Sequence, residues 1–145
     1  MGSMKIFIDE QAWLALVIQN HPFHSLFKAK FQHLLEGGYR FYTTNVIIGN
    51  VVSELKKKLG PDKSIEFYNI IEEAWLGNHL LILWLGRRTM KDAFKLFKRF
   101  PESRLSVFDC ANIMLMNRRN IRFILTSNVA YSEMGFKVVP DNIGE

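Results

Sequence analysis

Four clusters along this chain hold side chains able to bind a cation, move a proton or orient a water. They are Asp9-Glu10-Gln11, Thr44-Asn45 with Asn50 and Glu54 beyond it, Asp109, and Thr126-Ser127-Asn128. Carboxylates such as Asp9, Glu10, Glu54 and Asp109 can hold a hard divalent cation through oxygen or act as a general base. Amides such as Asn45, Asn50 and Asn128 can bond water, a sugar hydroxyl or turn backbone, but bring no charge. The stretch TTNVIIGN, residues 43–50, offers only hydroxyls and amides where charged groups are usual. Other arrangements are poorer. Cys110 adjoins Asp109, yet no histidine has an obvious place beside it, so a buried structural thiol is expected. His21 and His24 have the spacing of a helix-face ligand pair, but Pro22 between them reads as a turn, and both are expected at the surface.

The clusters must be positioned by the elements around them. KIFI (5–8), RFYT (40–43), LLILWL (80–85), RFIL (122–125) and KVV (137–139) are continuous apolar runs, the pattern of strands buried on both faces of a parallel sheet. Between them the helices carry punctuation. Pro22 opens one that Gly37-Gly38 stops; Asn45 is expected to cap one running to Leu59; Asp62 is expected to cap the next, ending at Gly77. Arg87 to Phe100 reads as a helix halted by Pro101, and Ser106 as the cap of Val107 to Arg119, with Asn120 as its stop. The expected order, β-α-α-β-α-α-β-α-β-α-β, puts a helix between the last two strands. An α/β class follows: a three-layer α/β/α sandwich around a central, mostly parallel five-stranded sheet. Ligands of such sheets sit beyond the carboxyl ends of the strands, where three of the four clusters fall. Asp109 lies in the first turn of its helix, where backbone amides favour a negative charge. Asp9 and Asp109 are therefore expected to face one another across a crevice edged with amides, rather than to serve only as helix caps.

Composition bounds the rest. With 145 residues, 48% of them hydrophobic and 23% charged, the chain suits one folded domain. Met-Gly-Ser ahead of Met4 reads as a cloning remnant, which leaves 4–145 as that domain. No apolar run approaches the roughly 18 residues of a membrane span, and no signal-peptide pattern is present, so no membrane partner and a cytoplasmic location are expected. A single cysteine excludes an internal disulfide and a cysteine-rich metal knuckle. The net charge of +5 favours polyanions. Lys56-Lys57-Lys58, Arg87-Arg88, Lys95, Lys98-Arg99 and Arg118-Arg119 supply positive charge, with solvated helix faces as the default reading and phosphate contact as the sharper one. Phe94, Phe97, Trp75, Trp84, Met114 and Met116 are expected in the core or a subunit interface rather than as base-stacking platforms.

KIFID with Ala12-Trp13-Leu14 behind it, FYTTN, LSVFDCANIMLM around Asp109, and LTSN followed by Tyr131 and MGFKVVP together resemble a PIN domain. The resemblance is to the toxin-type, VapC-like ribonucleases of bacterial and archaeal toxin–antitoxin pairs, and runs nearly from Met4 to Pro140. Each motif is short; their order and spacing make the match specific. The resemblance implies the α/β/α fold, hydrolysis of single-stranded RNA, and three or four acidic residues that hold Mg²⁺ or Mn²⁺. It also implies a homodimer and a groove that accepts an antitoxin peptide. Carried over by position, it makes Asp9 and Asp109 metal ligands. The second family acid, usually a glutamate, falls on Asn50; the fourth, usually the aspartate of a Thr-x-Asp turn, falls on Asn128. The hydroxyl residue that commonly follows the first acid is Glu10 here, with Gln11 after it.

The two replacements have a size. A charge pair about 4 Å apart is worth roughly 1 kcal/mol in water and about 4 near a protein surface, doubled for a divalent ion. Two missing carboxylates remove at least about 4 kcal/mol, roughly a thousandfold in affinity, partly offset by weaker repulsion among the remaining acids. Glu54 stands one helical turn, about 5.4 Å, beyond Asn50, too far for bonds near 2.1 Å. Glu10 is the better substitute, but points off Asp9's side unless the loop turns it inward. Weak or absent Mg²⁺ or Mn²⁺ binding and weak or absent nuclease activity are expected, with Asn50 and Asn128 left to orient water or ribose, and Gln11, Asn45 and Thr126 edging the pocket. Two alternatives stand beside this: an engineered or repurposed scaffold whose crevice takes a different ligand, and a non-catalytic RNA- or protein-binding module.

Overall fold

The structure, a computed structural model, describes residues 4–141, so the reading of residues 1–3 lies outside the described residues. Five short strands form its centre: β1 (Lys5–Ile8), β2 (Arg40–Thr44), β3 (Leu80–Leu83), β4 (Phe123–Leu125) and β5 (Lys137–Val139). Their order is β3-β2-β1-β4-β5, and every neighbouring pair is parallel. Ile6, Phe7 and Ile8 of β1 and Ile124 and Leu125 of β4 are fully buried, which is why these runs show no alternation. The chain builds outward from β1 through β2 to β3, then returns to β1's other side with β4 and β5. Such a reversal opens a crevice at the carboxyl ends of β1 and β4. Asp9 follows the first of these strands and Thr126 the second.

The helices are α1 (Glu10–Val17), α2 (His24–Glu36), α3 (Asn45–Leu59), α4 (Pro61–Leu76), α5 (Arg87–Arg99) and α6 (Val107–Arg118). Two expected caps are displaced. Thr44, not Asn45, caps α3, its hydroxyl accepting from the Ile47 N–H at 3.0 Å. Asn45 is the first helical residue, and its Oδ1 accepts from the Leu85 N–H at 2.7 Å, tying α3 to the end of β3. Gly60, at φ 93°, caps α4 ahead of Pro61, and Asp62 sits within the first turn. Glycine tolerates that φ, and proline suits the first helical position because its missing N–H would be unpaired there anyway.

The segments 87–100 and 107–119 both stand ahead of β4 as read, but the helix expected between the last two strands is absent among the described residues. β4 joins β5 through a 3-10 turn, Val129–Met134, closed by Gly135 at φ 87°. The link is too short for a full helical crossover. His21 and His24 are half-buried rather than at the surface. His21 Nδ1 accepts from the Phe23 N–H at 3.0 Å, and a ring nitrogen of His24 lies 2.8 Å from the Ala15 carbonyl oxygen. Cys110 is buried, as expected, and burial pushes its thiol pKa up, with Asp109 adding to the effect. Met116 is in the core, but Trp75, Trp84, Phe94 and Phe97 are exposed.

Candidate functional site

A crevice of about 260 Å³ lies beyond the strand ends, and Asp9, Glu10, Gln11, Asn50, Asp109 and Asn128 all line it. Residues up to 119 positions apart in the chain thus meet as the strand-end reading expected. Thr126 lies buried beneath them and Asn45 stands at the side, bonded to Leu85 in the wall. Glu54 does not reach the crevice. It lines a larger neighbouring groove of about 890 Å³ between α1 and α3, and pairs with Lys58 at 3.7 Å.

Asp9 is the N-cap of α1 and only 4% exposed. One carboxylate oxygen accepts from the Ala12 N–H at 3.1 Å, and the other accepts from the Thr126 hydroxyl. Burial pushes its pKa up to about 7; those two hydrogen bonds pull it down, while Asp109 and Glu10 push it up further. The carboxylate stays hydrogen-bonded because α1 starts directly after β1, and its free N–H groups need an acceptor at this position.

Asp109 is held from three sides. Within its own helix, Ser106 and Asp109 form a capping box: the Asp109 N–H donates to Ser106 Oγ at 3.1 Å, and the Ser106 N–H donates to Asp109 Oδ2 at 2.9 Å. From the β4–β5 link, the Asn128 amide donates to Oδ2 at 3.3 Å and the Tyr131 hydroxyl donates to Oδ1 at 2.9 Å. Tyr131 is fully buried, and its oxygen also accepts from the Asn112 amide at 3.1 Å. Burial, followed by the two aspartates, holds the Tyr131 pKa well above its usual value, so the phenol remains a donor. Asn112 was missed in the sequence. Its spacing of three from Asp109 puts the two on one helical face, a signal that could have found it.

Asn128 joins the two halves. Its Oδ1 accepts from the Ala130 N–H at 3.1 Å, which caps the 3-10 turn, and its own N–H donates to Thr126 Oγ1 at 3.0 Å. Glu10 sits at the mouth of the crevice, half-buried beside the Asn50 amide. Burial raises its pKa, the Asn50 amide lowers it, and Glu54 and Asp109 raise it again.

Whether these residues suit a resident divalent ion turns on free oxygens. Asp9 and Asp109 already accept five hydrogen bonds between them, and the Asn128 oxygen is committed to its own turn. Among the described residues, no three His, Cys, Asp or Glu side chains converge as a metal-holding group. About three lone-pair positions of the two carboxylates stay free, so a divalent ion held here would rest on Asp9 and Asp109, with water or substrate oxygens completing its shell. The crevice can also offer polar contacts along one wall, and Leu85 and Phe108 as apolar surface along another.

The PIN domain family model matches residues 6–137 of the chain. No curated protein sequence matches it. Among solved structures, it is similar to VapC20 of Mycobacterium tuberculosis, a toxin that cleaves the sarcin-ricin loop, with a TM-score of 0.76 and 19% identity over 90% of this chain and 95% of that one. VapBC2 of Rickettsia felis, bound to a DNA fragment from its promoter, gives a TM-score of 0.68 at 9% identity, over 93% and 97% of the two chains. DNA-bound VapBC of Salmonella typhimurium gives 0.63 at 11%, over 93% and 96%. At such identities the likeness establishes the fold. With the all-parallel five-stranded sheet, its flanking helices and a family match over nearly its whole length, the chain belongs to the PIN domain family.

Proposed function

We propose that this PIN domain is of the toxin-ribonuclease type, that it engages RNA, and that its cleavage centre is impaired. Asp9 and Asp109 stand at two of the four family acid positions, and Asn50 and Asn128 at the others. The observation that carries the reading is that no third acid joins the two aspartates in a metal-holding group among the described residues. Asn50 and Asn128 are then left to orient water or ribose. Resemblance to VapBC assemblies supports an antitoxin-like protein partner. The exposed Ile65, Tyr68, Ile70 and Leu76 on α4 are apolar surface of the kind that a second copy would cover in a homodimer. No helix among the described residues is long and apolar enough to cross a membrane. A cytoplasmic site of action fits an RNA target.

The test compares the protein with Asn50→Glu/Asn128→Asp on a labelled single-stranded RNA in the presence of Mn²⁺. The expected result is slow or no cleavage by the unmodified chain, and metal-dependent cleavage by the double variant, with Mn²⁺ affinity raised roughly a thousandfold. A clear Mn²⁺-dependent rate in the unmodified chain, lost in Asp9→Asn, would refute the impairment.

A second reading, a non-catalytic binding module, has its own support. Among the described residues no buried side-chain polar atom lacks a hydrogen-bond partner, so no orphaned buried donor or acceptor calls for an ion. Calorimetric titration with Mn²⁺ separates the two, because a binder of this kind needs no metal to take its ligand. A repurposed crevice, using Asp9, Glu10 or Asp109 as a base or ligand group, predicts instead that the double variant destroys that other activity.

A further inference from the structure

The net charge of +5 is not spread over the fold. Residues 86–105 hold seven basic side chains against two acidic ones, and the rest of the chain holds twelve of each, so the whole excess sits in one segment. That segment is α5 with its flanks. It leaves the crevice at Leu85 and rejoins it at Ser106, both of which line the crevice together with Asp109.

α5 buries only Thr89 and Ala93. Arg118 of α6 anchors it, donating to Thr89 Oγ1 at 2.7 Å and to the Asp92 carboxylate at 2.8 Å. Asp92 is thereby committed to α6. Arg87, Arg88, Lys91, Lys95, Lys98 and Arg99 are exposed and have no ion-pair partner among the described residues. Phe94, Phe97 and Phe100 are interleaved with these cations and also exposed. Phe108, in the crevice wall, continues the series of rings, and Trp84, 75% exposed, stands where the segment begins.

Unpaired cations alternating with open rings along a helix about 20 Å long match a strand that presents phosphates on one side and bases on the other. A second copy meeting this one through α5 would set like charges against like, so charge complementarity favours a polyanion. We infer that residues 86–105 form the surface on which single-stranded RNA docks. Its phosphates lie against the cations of α5, its bases stack on Phe94 and Phe97, and the strand passes over Phe108 into the crevice. That the polyanion is RNA rests on the ribonuclease-type reading above.

Fluorescence anisotropy with a labelled, mixed-sequence single-stranded oligoribonucleotide tests this, in EDTA so that no metal-dependent cleavage intervenes. Lys91→Gln/Lys95→Gln/Lys98→Gln is expected to weaken binding at least tenfold and to reduce the slope of log affinity against log salt by about 2, from roughly 0.7 per phosphate contact. Phe94→Ala/Phe97→Ala is expected to weaken the single strand by about tenfold or more while leaving a duplex of the same sequence unaffected. Arginine at the three lysine positions should retain affinity. Unchanged affinity and slope in both variants, with the parent protein bound, overturn the docking surface and leave the nuclease reading standing. The expected binding losses, coupled with no cleavage by Asn50→Glu/Asn128→Asp, support the surface and count against the nuclease reading. Failure of the parent protein to bind RNA, with capture of an acidic aromatic peptide through the same residues, overturns the inference in favour of a protein partner.

Discussion

Asp9 combines two demands that pull against each other. Its oxygens cap α1 and receive the Thr126 hydroxyl, yet its burial raises its pKa from 3.8 to about 7. The folded chain therefore binds a proton more readily than the unfolded one between these values. Stability from this group is complete below about pH 4 and is lost as pH rises through about 7. Asp9→Asn should flatten that decline and leave the protein more stable at pH 8 by about 2 to 4 kcal/mol, read from urea midpoints at several pH values. The same profile for parent and variant would mean that Asp9 does not titrate as its burial requires. Tyr131 carries a different liability. Tyr131→Phe strips the buried Asn112 amide of its acceptor and Asp109 of a donor, a loss expected to destabilise by about 1 to 3 kcal/mol in the same assay. Neither pairing is visible along the chain, because Asn112 and Asp109 lie 19 and 22 positions from Tyr131.

The start of α6 was legible from its lone candidate cap. Ser106 caps α6 as read, and Ser106→Ala should cost about 1 kcal/mol by denaturant unfolding while loosening Asp109, which shares the capping box. Where two candidates adjoin, the local pattern does not choose. Thr44 and Asn45 can each cap a helix, and the choice falls to the Leu85 N–H, 40 positions away, which takes the Asn45 side chain. The displaced cap of α4 has a nearer cause: Pro61 follows a glycine at positive φ, so the helix starts one residue ahead of Asp62. The β4–β5 link breaks the strand–helix alternation expected of it, because it holds only the short 3-10 turn Val129–Met134. Thr126, Asn128 and Tyr131 all lie in that short link, and each bonds a partner in the crevice network.

The assembled molecule makes its own prediction about metal. A ligand that binds only the folded state adds RT ln(1 + [L]/Kd), about 0.4 kcal/mol when its concentration equals Kd and about 4 when it exceeds Kd a thousandfold. Adding Mn²⁺ at about 1 mM should therefore barely move the thermal midpoint of the parent protein, whereas Asn50→Glu/Asn128→Asp should gain several degrees. A large shift in the parent would mean that Asp9 and Asp109 capture the ion without further acids. The aromatics of α5 lie outside the core, which was one of the two places expected for them. Phe94 and Phe97 suit a core by type, but they share their helix with six cations that no fold could bury together without partners.

Five apolar runs, a reversal of period between strand and helix, and lone caps are properties of neighbouring residues, so they fixed the strands, most helix ends and the family from the chain alone. The same holds for Asp9, Asp109 and Asn128, which lie within three residues of a strand end or helix start, whereas Asn50 stands a turn inside α3. Which oxygens remain free there is another matter. Thr126 reaches Asp9 across 117 positions and Asn128 reaches Asp109 across 19, and a hydrogen bond between distant residues exists only once the sheet has brought their strands side by side. The burial that raises the Asp9 pKa is likewise a sum over every layer around it, and no stretch of sequence contains that sum.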